Sequence, residues 1–175
     1  MRADPNAKEA IRSLYDLHAD EVYRFARLTL GDPTAAHDVV QEVFLRAFQS
    51  WGTFRENSSS RTWLMSIARN YMYSEFRKKR TERKWLAENR VTGSVDDSSD
   101  KVESVMMWQD ALSKVPQSYR QVFVLRHVQK YTIQEAVEIL GWSESKVKKT
   151  DQRAITKLRE IFDSNYTEAI PLDAR

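Results

Sequence analysis

The sequence predicts an all-α protein: two small helical domains joined by a flexible linker. Three observations carry this. Apolar residues recur at three- and four-residue spacing through most of the chain, and no alternating strand pattern competes with them. Only four glycines and four prolines occur in 175 residues, few for a chain rich in tight turns. One Ser/Asp-rich stretch, ENRVTGSVDDSSD at residues 88–100, lacks an apolar stripe and divides the chain. The resulting division is a first domain over 5–87, a linker over 88–100, a second domain over 101–163 and a mobile tail over 164–175.

The elements follow in order. Asp4-Pro5 is a helix start, with Asp as cap and Pro in the first turn. Ile11, Leu14, Tyr15, His18, Val22, Phe25 and Ala26 form its inner stripe, and Gly31 ends it. Asp32-Pro33 repeats the start signal. A second stripe runs Ala36, Val39, Val40, Val43, Phe44, Ala47, Phe48 and Trp51, with Asp38, Gln41, Glu42 and Arg46 on the other face. Gly52 to Ser60 is a polar loop with three serines. Trp63, Leu64, Ile67, Ala68 and Tyr71 open a third helix that turns basic towards its end. Beyond the linker, Val102, Val105, Met106 and Ala111 resume the period. Pro116 then fits the first turn of a helix holding Tyr119, Val122, Phe123, Leu125 and Arg126.

The next stretch is the most informative. Thr132 and Glu135 have capping-box spacing. Gly141 supplies a stop that tolerates positive φ. Ser143 can cap a new helix whose inner stripe is Val147, Ala154, Ile155, Leu158 and Ile161. A short helix, a Gly turn and a long basic helix describe a helix-turn-helix, with an ordinary helical hairpin as the plainer alternative.

Composition and charge narrow the function. The chain is 41% apolar and 30% charged, too apolar for disorder and without the run of about 20 apolar residues that a membrane span needs. Its start, MRADPNAKEA, is unlike a secretory signal. No cysteine occurs, so disulfides, thiolate metal sites and cysteine nucleophiles are excluded. His18, His37 and His127 lie far apart and no catalytic, metal or nucleotide motif is present. The reading is therefore not an enzyme, with no cofactor, metal or small-molecule substrate. Net charge is only +3, but the charge is segregated. Arg69, Arg77, Lys78, Lys79, Arg80, Arg83 and Lys84 face only Glu75 and Glu82. Lys146, Lys148, Lys149, Arg153, Lys157 and Arg159 face Glu144 and Asp151. Two basic blocks suit two contacts with a polyanion; solvated helix faces are the plainer alternative.

The order and wording of these segments resemble the extracytoplasmic-function group of bacterial sigma-70 factors, over residues from about 11 to 160. LYDLHADEVYRFARLTLGDPTAAHDVVQEVFLRAF looks like sigma regions 2.1 and 2.2, and WLMSIARNYMYSEFRKKR like regions 2.3 and 2.4. ALSKVPQSYRQVFVLRHVQKYTIQEAVEILGWSESKVKKTDQRAITKLRE looks like region 4. The short linker leaves no room for a folded region 3. The resemblance implies a cytoplasmic factor that binds core RNA polymerase, through the β′ coiled coil and the β subunit. It also implies recognition of the −35 and −10 promoter elements and help in opening the DNA. An anti-sigma factor, often membrane-bound, is a further implied partner.

On this resemblance, Asp38, Gln41, Glu42 and Arg46 form the polymerase-binding side of the second helix. The −10 element falls to Asn57 and Ser60 in the serine loop and to Asn70, Tyr73, Ser74, Arg77, Lys78 and Arg80 on the third helix. Aromatics interleaved with cations suit unstacked single-stranded bases. Trp63 and Ile67, four apart, read as core. The −35 element falls to Lys148, Lys149, Gln152 and Arg153, whose side chains can bond base edges. Ser143, Ser145 and Lys146 at the helix start suit phosphate. Three positions depart from the family pattern: Ser74 where Asp is frequent, Lys130 where Gly is frequent, and Asp151 where an apolar residue is usual. Asp151 is expected to pair with a neighbouring Lys or to rotate the helix slightly.

Magnitudes set limits on the isolated chain. Unstacking duplex DNA costs about 1.4 kcal/mol per step, and capturing one base returns roughly 1–3 kcal/mol. Two captured bases do not offset a bubble of about ten pairs, so polymerase contacts must supply the rest. A linker of about 15 to 18 residues reaches roughly 50–60 Å, which lets the two readers sit apart. Asp96, Asp97 and Asp100 within it read either as a nucleic-acid mimic in the polymerase channel or as plain solubilising charge. Two other binding classes compete: a helix-turn-helix repressor or activator with an N-terminal sensor, and a sigma-like regulator that only docks on partners. Transcription in vitro with sigma-free core polymerase separates all three.

Overall fold

The computed structural model describes residues 5–54, 59–88 and 103–167. Seven α-helices account for almost all of them: α1 (Pro5–Leu30), α2 (Pro33–Ser50), α3 (Ser60–Glu88), α4 (Glu103–Ser113), α5 (Gln117–Phe123), α6 (Ile133–Leu140) and α7 (Glu144–Thr167). Residues 89–102 and 168–175, on which the linker and tail expectations largely fall, lie outside the described residues. Helix α7 runs four residues past 163, into the span read as tail.

Helices α1 and α2 form an antiparallel hairpin. Gly31 turns the chain at φ +80°, and its N–H closes on the Arg27 carbonyl at 2.9 Å. Asp32 then caps α2, its carboxylate accepting from the Thr34 and Ala35 amides at 2.8 and 3.3 Å, with Pro33 in the first turn. Val22, Phe25 and Ala26 meet the buried α2 stripe of Ala36, Val39, Val40, Val43, Phe44 and Ala47. Helix α3 covers the other flank of α2 with Leu64, Met65, Ala68 and Met72. Its cap is Ser59, whose hydroxyl accepts the Thr62 amide at 3.1 Å. Trp63 belongs to the core margin, as its spacing predicts: its ring meets Phe54 and Trp51 at centroid distances of 4.5 and 6.2 Å.

Phe48 and Tyr15 depart from the predicted stripes. Phe48 is 36% and Tyr15 48% exposed. At about 100° per residue, Phe48 lies roughly 110° round from the centre of the buried α2 arc, at its margin.

In the second half, Pro116 stands just before α5 rather than inside its first turn. Helix α5 continues without a break into a π-helical turn, Val124–Val128, which periodicity alone does not reveal. There the Gln129 N–H bonds the Val124 carbonyl at 2.9 Å, one residue wider than the α pattern. Lys130 leaves this turn at φ +62°, the left-handed conformation that Gly adopts freely, which accounts for Gly in the family pattern there. The Thr132–Glu135 capping box is complete. Gly141, at φ +63°, ends α6 and aims α7 across it. Leu112, Val122, Leu125, Tyr131, Ile139, Leu140, Val147 and Leu158 are buried together.

The two halves pack directly on each other: α3 against α6, and α1 against α4, α5 and the π-turn. A cleft of about 770 Å³ remains between α1 and α4–α5, lined by Tyr23, Leu28, Leu112, Phe123, Val128 and Trp108.

Candidate polymerase and nucleic-acid interfaces

The outer face of α2 is the first candidate surface. Asp38 and Gln41 are exposed. Glu42 and Arg46 form an i,i+4 pair at 2.6 Å, and the Arg46 guanidinium sits 4.9 Å from the Tyr71 ring centroid on α3. The four residues thus split into two adjoining strips. Leu45, 51% exposed, and Phe48 continue the Asp38–Gln41 strip at three- and four-residue steps. Leu45 is not singled out from the sequence, and Phe48 reads there as part of the inner stripe. The signal that finds them is an apolar side chain outside the buried arc, beside polar groups that no fold contact uses.

The second surface is the mid-section of α3. Asn70, Tyr73, Ser74, Arg77 and Lys78 are all exposed. The Asn70 side-chain oxygen accepts from Arg69 at 3.0 Å, and Arg69 covers the Tyr73 ring at 5.1 Å. Burial lowers the Arg69 pKa, the mark of a guanidinium pinned under its neighbours. It joins Tyr73 and Asn70 on one patch. Lys78 pairs with Glu75 at 2.7 Å, a contact on the helix surface that water competes with. Tyr71 packs against the core and is not a free platform. Ser60 opens α3, but its neighbour Ser59 does the capping. Asn57 and the side chain of Arg80 lie outside the described residues.

The third surface is α7. The Ser143 hydroxyl accepts the Lys146 amide at 3.3 Å, as a cap should. The Lys146 ammonium lies 4.1 Å from the Trp142 ring centroid. Glu144 draws Lys148 into an i,i+4 pair and accepts from Gln134 at 3.2 Å; these partners lower its pKa. Ser145, Lys149, Gln152 and Arg153 are exposed. Val147, Ala154 and Leu158 are buried behind them, so the apolar stripe fixes which side faces outward. Asp151 pairs with no lysine, contrary to expectation. It accepts from, or pairs with, His127 at 2.7 Å and lies 3.8 Å from Arg126, both on the π-turn. An acidic side chain fits at this inward position because the bulge brings two basic groups to meet it.

Comparison with known proteins bears on the family and the fold. Residues 14–82 match the family model of sigma-70 region 2, and residues 106–158 match that of sigma-70 region 4. The ECF RNA polymerase sigma factor SigX of Bacillus subtilis (strain 168) is 32% identical over 170 residues, covering 89% of this chain and 85% of its own. The chain belongs to the ECF group of sigma-70 factors.

Other relatives point the same way. SigW of Bacillus subtilis (strain 168) is 28% identical across 87% of this sigma factor and 89% of its own length. Among solved structures, CnrH in complex with the cytosolic domain of CnrY superposes with a TM-score of 0.67 at 26% identity, over 90% of each chain. RpoE in complex with the anti-sigma factor NepR from Bartonella quintana shares the fold, with a TM-score of 0.75 at 21% identity, over 89% of this chain and 98% of that one. The sigma factor acts in promoter-specific transcription initiation with RNA polymerase and is not an enzyme. Among the described residues, no helix is long and apolar enough to cross a membrane.

Proposed function

We propose the following division of labour within the sigma factor. The α2 strip of Asp38, Gln41, Leu45 and Phe48, with Glu42 and Arg46 beside it, docks on the β′ coiled coil of core polymerase. Two apolar anchors inside a polar rim suit a specific protein interface. The α3 patch of Asn70, Tyr73, Ser74, Arg77 and Lys78, with Asn57, Ser60 and Arg80, holds −10 bases and their phosphates. In α7, Lys148, Lys149, Gln152 and Arg153 read the −35 element, while Ser143, Ser145 and Lys146 take phosphates. The observation that carries this reading is the outward row of α7. Lys149, Gln152 and Arg153 stand on one rigid helix with no side-chain partner among the described residues, and an apolar stripe locks their direction.

An anti-sigma factor is the regulatory partner that fits best. The complex of CnrH with CnrY supports it, and the apolar cleft around Trp108 offers a seat for such a partner's side chains. Through it, the cytoplasmic sigma factor would be held at the membrane. The test is transcription in vitro with sigma-free core polymerase on promoters selected by transcript mapping. Initiation that is lost when either the −35 bases or Arg153 are changed supports the assignment. Repression, or silence with all promoters, overturns it.

A further inference from the structure

A polar cluster joins α7 to the π-turn behind the outward row of the helix. The inner stripe of α7 runs Val147, Asp151, Ala154 and Leu158, so one place in it is taken by a carboxylate. The Asp151 side chain is only 13% exposed. Its Oδ1 lies 2.7 Å from His127 Nε2. An ionised carboxylate only accepts, so Nε2 carries the hydrogen and donates. Its Oδ2 lies 3.8 Å from Arg126 Nε. Arg126 also donates from Nη1 to the Tyr131 carbonyl, one residue before the Thr132 cap of α6. One cluster thus touches the π-turn, the entry to α6 and the middle of α7. The imidazole is itself braced. Its ring meets Phe123 at a centroid distance of 5.0 Å, Phe123 stacks on Trp108 at 5.7 Å, and Trp108 meets Phe162 of α7 at 4.7 Å.

Position on the helix gives this cluster its leverage. At about 100° per residue, Asp151 lies roughly 40° round from the centre of the arc of Val147, Ala154 and Leu158, on the side of Lys148 and Gln152. Apolar packing at the centre of the arc holds the helix close but is non-directional. A directional bond at the margin resists rotation about the helix axis. A turn of about 10° carries atoms 5–6 Å from the axis through about 1 Å. That displacement is enough to spoil a bidentate bond to a base edge.

We propose that Asp151 is a positioning residue for −35 recognition. Held by His127 and Arg126, it sets the rotation of α7 and so the base edges that Lys148, Lys149, Gln152 and Arg153 meet. The proposal rests on the reading of α7 as the −35 reader. The carboxylate itself touches no DNA; it acts through the four side chains that do.

The test uses the full chain with core polymerase, on a promoter selected by transcript mapping and on copies with single-base changes in the −35 element. The readout is the ratio of initiation on the original promoter to initiation on each changed copy. Asp151→Leu fills the same place without the bond and should lower this ratio about five- to tenfold at one or more positions. Asp151→Asn keeps an oxygen that accepts from His127 and should hold the ratio within about twofold. His127→Phe keeps the ring on Phe123 but has no donor. It should lower the ratio as Asp151→Leu does, and it carries the test alone if Asp151→Leu does not fold. The double variant should go no further than either single one, because both remove one bond. Loss of stability alone lowers initiation on every copy alike and leaves the ratio unchanged. Ratios for Asp151→Leu and His127→Phe equal to that of the unsubstituted chain therefore overturn the proposal. A ratio for Asp151→Asn as low as that for Asp151→Leu overturns the assignment to the His127 bond. Gln152→Ala, measured alongside, separates this claim from the one beneath it. If Gln152→Ala leaves every ratio unchanged, the reading of α7 falls and positioning with it; if it alone lowers the ratio, only the positioning role falls.

Discussion

Replacing Lys130 with glycine should stabilise this protein, although glycine usually weakens a fold. Lys130 sits at φ +62°, where an L-residue with a Cβ is held at a cost of about 1–2 kcal/mol. Glycine removes that cost but adds about 0.4–1 kcal/mol of unfolded-chain entropy. Lys130 is exposed and has no side-chain partner among the described residues, so no contact is lost. The net expectation for Lys130→Gly is a gain of roughly 0.5–1 kcal/mol, or about 2–3 °C in melting temperature for a chain of this size. The mirror experiment is Gly141→Ala. A Cβ at Gly141 meets nothing within 4 Å, so only the backbone at φ +63° objects. The same arithmetic gives a loss of about 0.5–1 kcal/mol. Urea unfolding followed by tryptophan fluorescence measures both. A lower midpoint for Lys130→Gly than for the unsubstituted chain would refute the strain argument.

Other expectations concern the surfaces. Leu45→Asp and Phe48→Ala should leave the fold intact and weaken core polymerase binding by about five- to thirtyfold, about 1–2 kcal/mol, in a pull-down or competition assay. Lys146→Ala should weaken duplex binding evenly across sequences and lower the salt slope by about one, whereas Gln152→Ala should relax base preference by about 1–3 kcal/mol. The Thr132 amide and hydroxyl hold the Glu135 carboxyl below its usual range. A depressed carboxyl stabilises above its unfolded pKa, and this is lost as pH falls through the folded value. Unfolding midpoints of the unsubstituted protein and Glu135→Gln should therefore differ at pH 7 and converge only once the pH has fallen below the depressed folded value.

Much of the fold was legible because amphipathic periods and caps are local. Asp32, Thr132, Gly31 and Gly141 act as their sequence positions suggest, since a cap needs only its own next turn. What escaped depends on geometry that spans elements. Phe48 belongs to the apolar pattern by spacing, yet the width of the covered arc, set by α1 and α3, leaves it outside. The π-turn has no residue signature, and without it the pairing of Asp151 with His127 and Arg126 has no visible cause. The packing of one half on the other was equally hidden. Arg61, Glu21 and Gln129 are ordinary polar residues in sequence, and only the assembled molecule brings them together. Of the candidate contacts, the α7 row was the most readable, because an inner stripe of Val147, Ala154 and Leu158 fixes the opposite side by subtraction.

The wide turn after α5 has a consequence for tolerance to insertion and deletion. A single deletion between Val124 and Val128 would restore ordinary helical pitch and keep the downstream bearing, whereas tightening the turn with all its residues kept would swing everything downstream by about 100°. In the second case Tyr131 would leave its cradle under Arg61, Asp151 would lose its basic neighbours, and the outward row of α7 would face a new direction. One peptide unit therefore sets the bearing of the reading helix against the rest of the molecule.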